Sequence, residues 1–418
     1  MKILIIAHKM PYPPRGGATL RNYNLLKECA RDNDIHLLTF TQEPYLRDPV
    51  RMQASIDHLK KFCREVQVFK IPTDSNRISW YLLLLFNIFS LTPYSVWRFW
   101  SSKMARAVKA QIKQHDFDLV EIGCISLVRY ARLTPRLPKL MIHHNIESQL
   151  LFRRSKTASN LLIRLYLAFQ AYKVRRLEKK AARDFDHHTT VSELDKKTLL
   201  DLCPGINVTV VDNGVDTDYF APSLQPSDQN TLVFAGAMAW YPNSDAMIYF
   251  AREIWPLLKK DFPQIKINVI GASPPRELAE LSRTDPAFNL LGFVDDVRPY
   301  VAQAAVYVVP ITVGGGTRLK ILDAMAMGKA IVSTSIGCEG IEVEDGREII
   351  VADSPEEFAE KVGWLLRNPG QTKTLGVNAR QKALEVYSWK KIAPELTDVY
   401  AKLARMKRRP EQATKGVD

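Results

Sequence analysis

The stretch Pro310-Ile-Thr-Val-Gly-Gly-Gly-Thr-Arg-Leu-Lys-Ile-Leu-Asp-Ala-Met-Ala-Met-Gly328 decides the reading of this chain. An apolar run, Ala304 to Ile311, predicts a buried strand that runs into three glycines. A helix is expected to start near Thr317 and to stop at Gly328. Glycines let the backbone approach a ligand closely, and a helix N-terminus offers N–H groups to an anion. Arg318 and Lys320 stand at that same end, where the helix dipole alone disfavours cations. Asp323 interrupts an otherwise apolar run. A phosphate held by backbone and cation, with a hydroxyl-binding carboxylate further along the helix, accounts for all three features.

Outward from this stretch the chain alternates strand and helix. Upstream, strands fit Thr231–Ala235, Ile265–Ile270 and Phe288–Leu291, with helices at Ser244–Lys259, Arg276–Ser282 and Val297–Gln303. Downstream, a strand fits Ala330–Ser335, and helices fit Pro355–Leu366 and Thr372–Tyr387. A separate alternation opens the chain. A strand over residues 2–7 leads through the Pro-rich loop His8 to Gly17 into a helix, Thr19–Cys29, and a strand, Ile35–Phe40. Further strands fit Val66–Ile71, Leu119–Ile122, Leu140–His143, His188–Val191 and Val208–Val211. Strands alternating with helices predict open parallel sheets.

The 418 residues exceed one ordinary domain. We expect a first doubly wound domain over 1–211, a turn-rich linker over 212–222 and a second such domain over 223–387. Ser388-Trp-Lys marks a break before a last helix, Ile392 to Met406, within a segment 388–406 expected to cross back to the first domain. The tail 407–418 is polar. Two such domains are expected to hold a ligand cleft between them, at the carboxyl ends of the strands.

Hydrophobic residues make up 46% and charged residues 25%, ordinary values for a globular chain. The net charge of +13 suits a polyanionic partner, yet no zinc-finger spacing or RNP-like motif accompanies it, so nucleic acid is not expected. The five cysteines are scattered, without a C-x-x-C pair, which fits free thiols in a reducing compartment. The N-terminal apolar run is too brief for a signal peptide, and Trp80–Phe89 is too short to span a bilayer.

Six motifs in this order resemble the GT-B fold glycosyltransferases of family four (glycosyltransferase group 1). They are Pro11-Tyr-Pro-Pro-Arg-Gly-Gly17, His144-Asn-Ile-Glu-Ser148, Val191-Ser-Glu-Leu-Asp195, Asn213-Gly-Val-Asp216, Gly292-Phe-Val-Asp-Asp296 and Gly314 to Gly328. The resemblance implies an α/β protein of two Rossmann-like domains facing a central cleft, with the C-terminal helix crossing back to the first. It implies transfer of a sugar from a nucleotide-diphosphate sugar to a glycan or lipid-linked acceptor, usually with retention, without a metal and with no cofactor. It implies a cytoplasmic enzyme of cell-surface polysaccharide or glycoconjugate synthesis.

The same resemblance assigns roles. Gly315, Gly316 and Thr317 would turn backbone N–H groups to the donor diphosphate, with Arg318 and Lys320 neutralising its charge. Asp323, about one and a half turns into the expected helix, would meet the ribose. The family pattern is E-x7-E. Here the second Glu is Asp323 and the first falls on Gly315, so contacts to the transferred sugar must come from elsewhere. Gly16 and Gly17 would face donor phosphate or acceptor, with Arg21 as an added cation. The backbone around Val294 would read the nucleobase, while Asp295 and Asp296 equally suit capping of the next helix. His144 would lie near the reacting centre as the catalytic candidate, with His143 facing the opposite way. Glu147 reads as acceptor-side or as a helix N-terminal acid. The loop after Gly236 lacks the usual Arg and Lys, for which Arg318 and Lys320 would substitute.

Arg77 to Lys113 mixes aromatic, apolar and basic residues, and Arg175, Arg176, Lys179, Lys180 and Arg183 cluster further on. Such segments suit either core plus solvated surface or peripheral docking on an anionic membrane, here the inner face of the cytoplasmic membrane. A sugar-nucleotide epimerase of the same fold and a non-catalytic membrane-associated scaffold are the alternative readings.

Overall fold

The computed structural model describes residues 1–14, 17–41, 48–75, 77–158, 160–314 and 317–407. The chain divides into two compact units, one of Met1–Asp212 with the residues from Ala393 onward, the other of Asn213–Ile392. Each is built around one parallel sheet.

In the first unit the strands are β1 (Lys2–Ala7), β2 (Asp34–Thr41), β3 (Glu65–Lys70), β4 (Leu119–Ile122), β5 (Lys139–Ile142), β6 (His187–Thr190) and β7 (Val208–Val210). Their order across the sheet is β3-β2-β1-β4-β5-β6-β7. The near-continuous apolar run of β1 reflects burial on both faces, as helix-covered parallel sheets require. Leu4, Ile6, Phe40, Val120 and Met141 anchor one core. Helix starts are fixed locally: the hydroxyls of Ser101 and Ser192 accept from the backbone N–H groups of Met104 and Asp195.

The second unit holds β8 (Asp228–Ala235), β9 (Lys266–Ile270), β10 (Phe288–Gly292), β11 (Ala304–Val309), β12 (Ala330–Ser333) and β13 (Ile350–Val351), in the order β10-β9-β8-β11-β12-β13. The two-residue β13 escapes sequence reading because it is too short to carry a period. In both units the winding reverses beside the first strand, between β1 and β4 and between β8 and β11. Beyond the carboxyl ends of strands at such a reversal, open α/β sheets bind their ligands.

Three boundaries differ from expectation. The helix after the glycine stretch runs Leu319–Ala326, two residues later than Thr317, because Arg318 is extended (φ −86°, ψ 93°) and serves as its N-cap. The stretch 212–222 is not a free linker. Val215 and Phe220 are buried in the second core, and Arg380 donates to the carbonyls of Thr217 and Phe220. The last helix is one piece, Trp389–Lys407, so the break falls before Trp389. Its later turns belong to the first unit. There the Tyr400 hydroxyl meets Glu121 at 2.5 Å, and the Lys407 ammonium donates to the Phe117 carbonyl at 2.6 Å.

Candidate active-site residues in the two units

In the second unit the end of β8 leads to Gly236, and the end of β11 leads through Pro310 and Gly314 to the helix Leu319–Ala326. The side chain of Lys320 joins these two strand ends. Its ammonium donates to Asn243 Oδ1 at 2.6 Å and sits 4.0 Å above the Phe234 ring. It presses so near Gly236 that a Cβ there would lie 2.5 Å from Nζ and 2.9 Å from Asn243 Nδ2. Glycine is the residue that leaves room for this cation. Gly314, at φ +152°, plays the same part for Arg318, whose Nη2 lies 2.7 Å from where a Cβ would stand.

Burial drives the Lys320 pKa well below its ordinary value, the Arg318 charge adds to this, and Asp323 opposes it. The result is a cation placed where it is costly, a condition that a bound anion relieves. Asp323 lies four residues into the helix, ~6 Å along its axis rather than the longer reach expected from a start at Thr317. Burial pushes its carboxyl up to about 7, with Lys320 pulling the other way. Burial raises the pKa of Tyr307, the Asp323 charge adds to this, and the Tyr307 hydroxyl bonds the backbone of Ala235.

The loop after β10 has a different character. Gly292 is left-handed at φ +69°, and its carbonyl accepts from Gly271 N at 2.8 Å. Val294 packs against the second core. Asp296 accepts from the backbone N–H of Arg298 at 3.0 Å and grips its guanidinium, one position before Val297, the N-cap of the following helix. Thr317 directly precedes the N-cap Arg318. Gly16, Gly315 and Gly316 lie outside the described residues.

In the first unit, His8 follows β1 and His143-His144 follow β5. The two neighbouring histidines face opposite ways. His188 must donate its Nε2–H to the Ala182 carbonyl at 2.9 Å, which leaves its Nδ1 to accept from His143 Nε2 at 3.1 Å. His143 is thus fixed within the fold, and burial lowers its pKa to about 3. His144 instead packs against His8, ring centroids 5.9 Å apart. Its Nε2 is buried and has no hydrogen-bond partner among the described residues. Burial, reinforced by His8, Arg21 and His143, holds the His144 pKa well below 6.5, and burial with Lys9 lowers His8 to about 4. A neutral imidazole with an uncommitted nitrogen can donate or accept one hydrogen bond at neutral pH.

Arg21 is not presented to a ligand as expected. It is buried, and it donates to the Val211 carbonyl at 2.7 Å and the Asp212 carbonyl at 2.5 Å. Gly17 is the exposed first residue of the helix Gly17–Cys29. Glu147 opens the helix Glu147–Thr157 beside Glu178, which accepts from Ser148 N and Oγ. Burial and mutual repulsion lift Glu147 to about 7, and burial lifts Glu178 to the same value.

Sequence reasoning missed Asn243, Phe234 and Tyr307 because their spacing from Lys320 is entirely tertiary. His8 carried a usable signal, since it ends a strand that neighbours the reversal of the sheet.

Two parallel sheets with this winding, one in each unit, fit the GT-B architecture. The model described as "Glycosyltransferase Family 4" matches residues 15–219, and that described as "Glycosyl transferases group 1" matches residues 229–368. The chain belongs to these glycosyltransferases and is a transferase. A protein of the cps region of Klebsiella pneumoniae, described as uncharacterized, is 22% identical over 94% of this chain and 97% of its own. An MMP alpha-(1->4)-mannosyltransferase of Mycolicibacterium hassiacum is 26% identical over 69% of this chain and 72% of its own. The solved structure of Anabaena HepE in complex with UDP superposes at a TM-score of 0.68, with 17% identity, over 96% of this chain and 100% of that one.

Proposed function

We propose that this glycosyltransferase moves a sugar from a nucleotide-diphosphate sugar to a glycan or lipid-linked acceptor in cell-surface polysaccharide or glycoconjugate synthesis, with retention and without a metal. The observation that carries the reading is the Lys320 ammonium, buried between Asn243, Phe234 and Gly236 with Arg318 beside it. Two cations from the chain itself suit a diphosphate, whose charge grows as the sugar–phosphate bond breaks. Asp323 is the carboxylate for a ribose hydroxyl. UDP in the HepE structure and the cps-region relative support the same substrate classes.

In the proposed reaction the bond between the anomeric carbon and the leaving phosphate oxygen breaks. The acceptor oxygen bonds to that carbon on the same face, and the acceptor proton passes to the leaving phosphate. His144, neutral and with Nε2 uncommitted, is assigned a hydrogen bond to the transferred sugar. The enzyme works at the inner face of the cytoplasmic membrane, where a lipid-linked acceptor would be met. Among the described residues, no helix is long and apolar enough to cross a membrane.

A thermal-shift screen of UDP-, GDP-, ADP- and dTDP-sugars tests the donor, since a ligand that binds the folded state raises Tm. One class of nucleotide sugar is expected to raise it, and that rise is expected to vanish in Lys320→Ala. No rise with any of them, confirmed by calorimetry, would defeat the proposal. Product NMR at the anomeric carbon decides retention, and activity in the presence of a chelator decides the metal.

A further inference from the structure

Large apolar side chains are left exposed in two neighbouring places of the first unit. The helix Arg77–Asn87 presents Tyr81, Leu82, Leu85 and Phe86 to solvent, and Phe89 just beyond it is 86% exposed. The helix Leu161–Ala181 presents Leu161, Leu162, Ile163 and Leu165 in its first two turns, with Leu162 77% exposed. These places are tied together. Asn87, at the end of the first helix, accepts from Gln170 at 3.1 Å and from Lys173 through its carbonyl at 2.7 Å. Tyr94 adds a second tie, with its ring 5.8 Å from Trp80 and its N–H directed to Gln170 at 3.4 Å. In the second unit the exposed large apolar residues, such as Trp240, Ile336 and Val377, are widely separated along the chain. Clusters of exposed apolar side chains of this kind mark an interaction site.

The charges around it select the partner. From Ser75 to His115 there is no acidic residue, while Arg77, Arg98, Lys103, Arg106, Lys109 and Lys113 are all basic. Between Ser148 and Arg183 the one acid is Glu178, and it is buried. On the same helix Arg164, Arg175, Arg176, Lys179 and Lys180 are exposed. A protein partner would be matched by charges of both signs. A surface that combines aliphatic and aromatic side chains with cations alone matches the boundary of an anionic bilayer, where acyl chains lie beneath negative headgroups.

We propose that the first unit docks peripherally on an anionic phospholipid bilayer through the apolar side chains of Tyr81–Phe89 and Leu161–Leu165, with the basic residues of the helix Leu161–Ala181 contacting the headgroups. This docking rests on the location at the inner face of the cytoplasmic membrane proposed above and names the side chains that would achieve it; none of them is among the residues assigned to the donor, so vesicle binding can fail while the response to nucleotide persists.

Sedimentation of the full chain with large unilamellar vesicles tests it. Vesicles of equal parts phosphatidylcholine and phosphatidylglycerol are expected to bind the protein at least about 10-fold more tightly than pure phosphatidylcholine. Phe86→Ser, Phe89→Ser and Leu162→Ser combined are expected to weaken that binding by at least about 10-fold, because each removes apolar area from the bilayer. All three side chains are exposed, so Tm and the response to nucleotide should be unchanged. Arg175→Glu with Arg176→Glu is expected to abolish the preference for the anionic vesicles. Wild-type protein that stays in the supernatant with anionic vesicles would overturn the proposal. So would unaltered binding by the triple variant, or a concentration-dependent dimer that the triple variant breaks while vesicle binding persists.

Discussion

The two units share one winding of the sheet yet place opposite chemistry at its reversal. The second unit gathers charge: Lys320 and Arg318 reach the strand ends, and Asp323 sits on the same short helix. The first unit gathers neutral imidazole, with His8 and His144 both held below their ordinary pKa by burial. The architecture supplies a position in each case, while the side chains supply the function. A charged site suits a diphosphate, and a neutral donor or acceptor suits a sugar hydroxyl, which a full charge would not improve.

The sharpest way to break this comparison is to remove each group and ask whether binding or turnover fails. His144→Ala is expected to lower kcat by on the order of 100-fold, with donor Kd unchanged in calorimetry. Lys320→Ala should do the reverse in part, raising donor Kd by roughly 10- to 100-fold, the scale of a lost hydrogen bond to a charged group. Equal effects of both substitutions on Kd would dissolve the distinction between the units.

Acid is expected to separate them further. The folded-state pKa of Asp323, about 7, lies above its ordinary 3.8, so the folded chain holds the extra proton between those values. Its contribution to stability is therefore largest below pH 4 and falls as pH rises to about 7. Asp323→Asn cannot ionise, and it should stabilise the protein at pH 8 by on the order of 1–2 kcal/mol while leaving pH 4 nearly unchanged. The same variant should bind donor several-fold more weakly at pH 8 and lose the wild-type weakening of affinity below pH 7. His144 is already neutral across this range, so no imidazole titration is expected in kcat between pH 6 and 9; an acid limb abolished by His144→Gln would contradict this.

The smallest effect belongs to Gly236→Ala. Its Cβ would press on the side-chain ends of Lys320 and Asn243 rather than on backbone, so a Kd increase of about 3-fold with little change in Tm is expected. Gly271→Ala provides the contrast, because its Cβ would meet the Gly236 carbonyl, and backbone does not yield. A melting temperature unaltered by Gly271→Ala would show that these strand ends are looser than described.

Much of this was legible from residue order. Apolar runs such as Lys2–Ala7 and Ala304–Val309 announced buried parallel strands, and the stretch after the second of these announced a helix ending before Gly328. The order of motifs announced the enzyme class. Boundaries were less legible where a residue's backbone angles depend on what it touches. Arg318 is extended and caps the helix instead of joining it, and Val215 and Phe220 are buried where turn residues suggested a linker. Arg21 reads from the sequence as a ligand-binding cation, and its bonds to the carbonyls of Val211 and Asp212 identify it instead as a clasp within the fold.

By itself, then, the sequence determined the alternation of elements, the identity of the cations and the lack of an acid at Gly315, because these depend on local pattern and composition. Tertiary structure decided which groups share a site: Lys320 with Gly236, Asn243 and Phe234, and His144 with His8 rather than with its neighbour His143. The physical reason is that parallel strands distant in sequence end side by side. A side chain's pKa and partners are therefore set by groups that no local spacing announces.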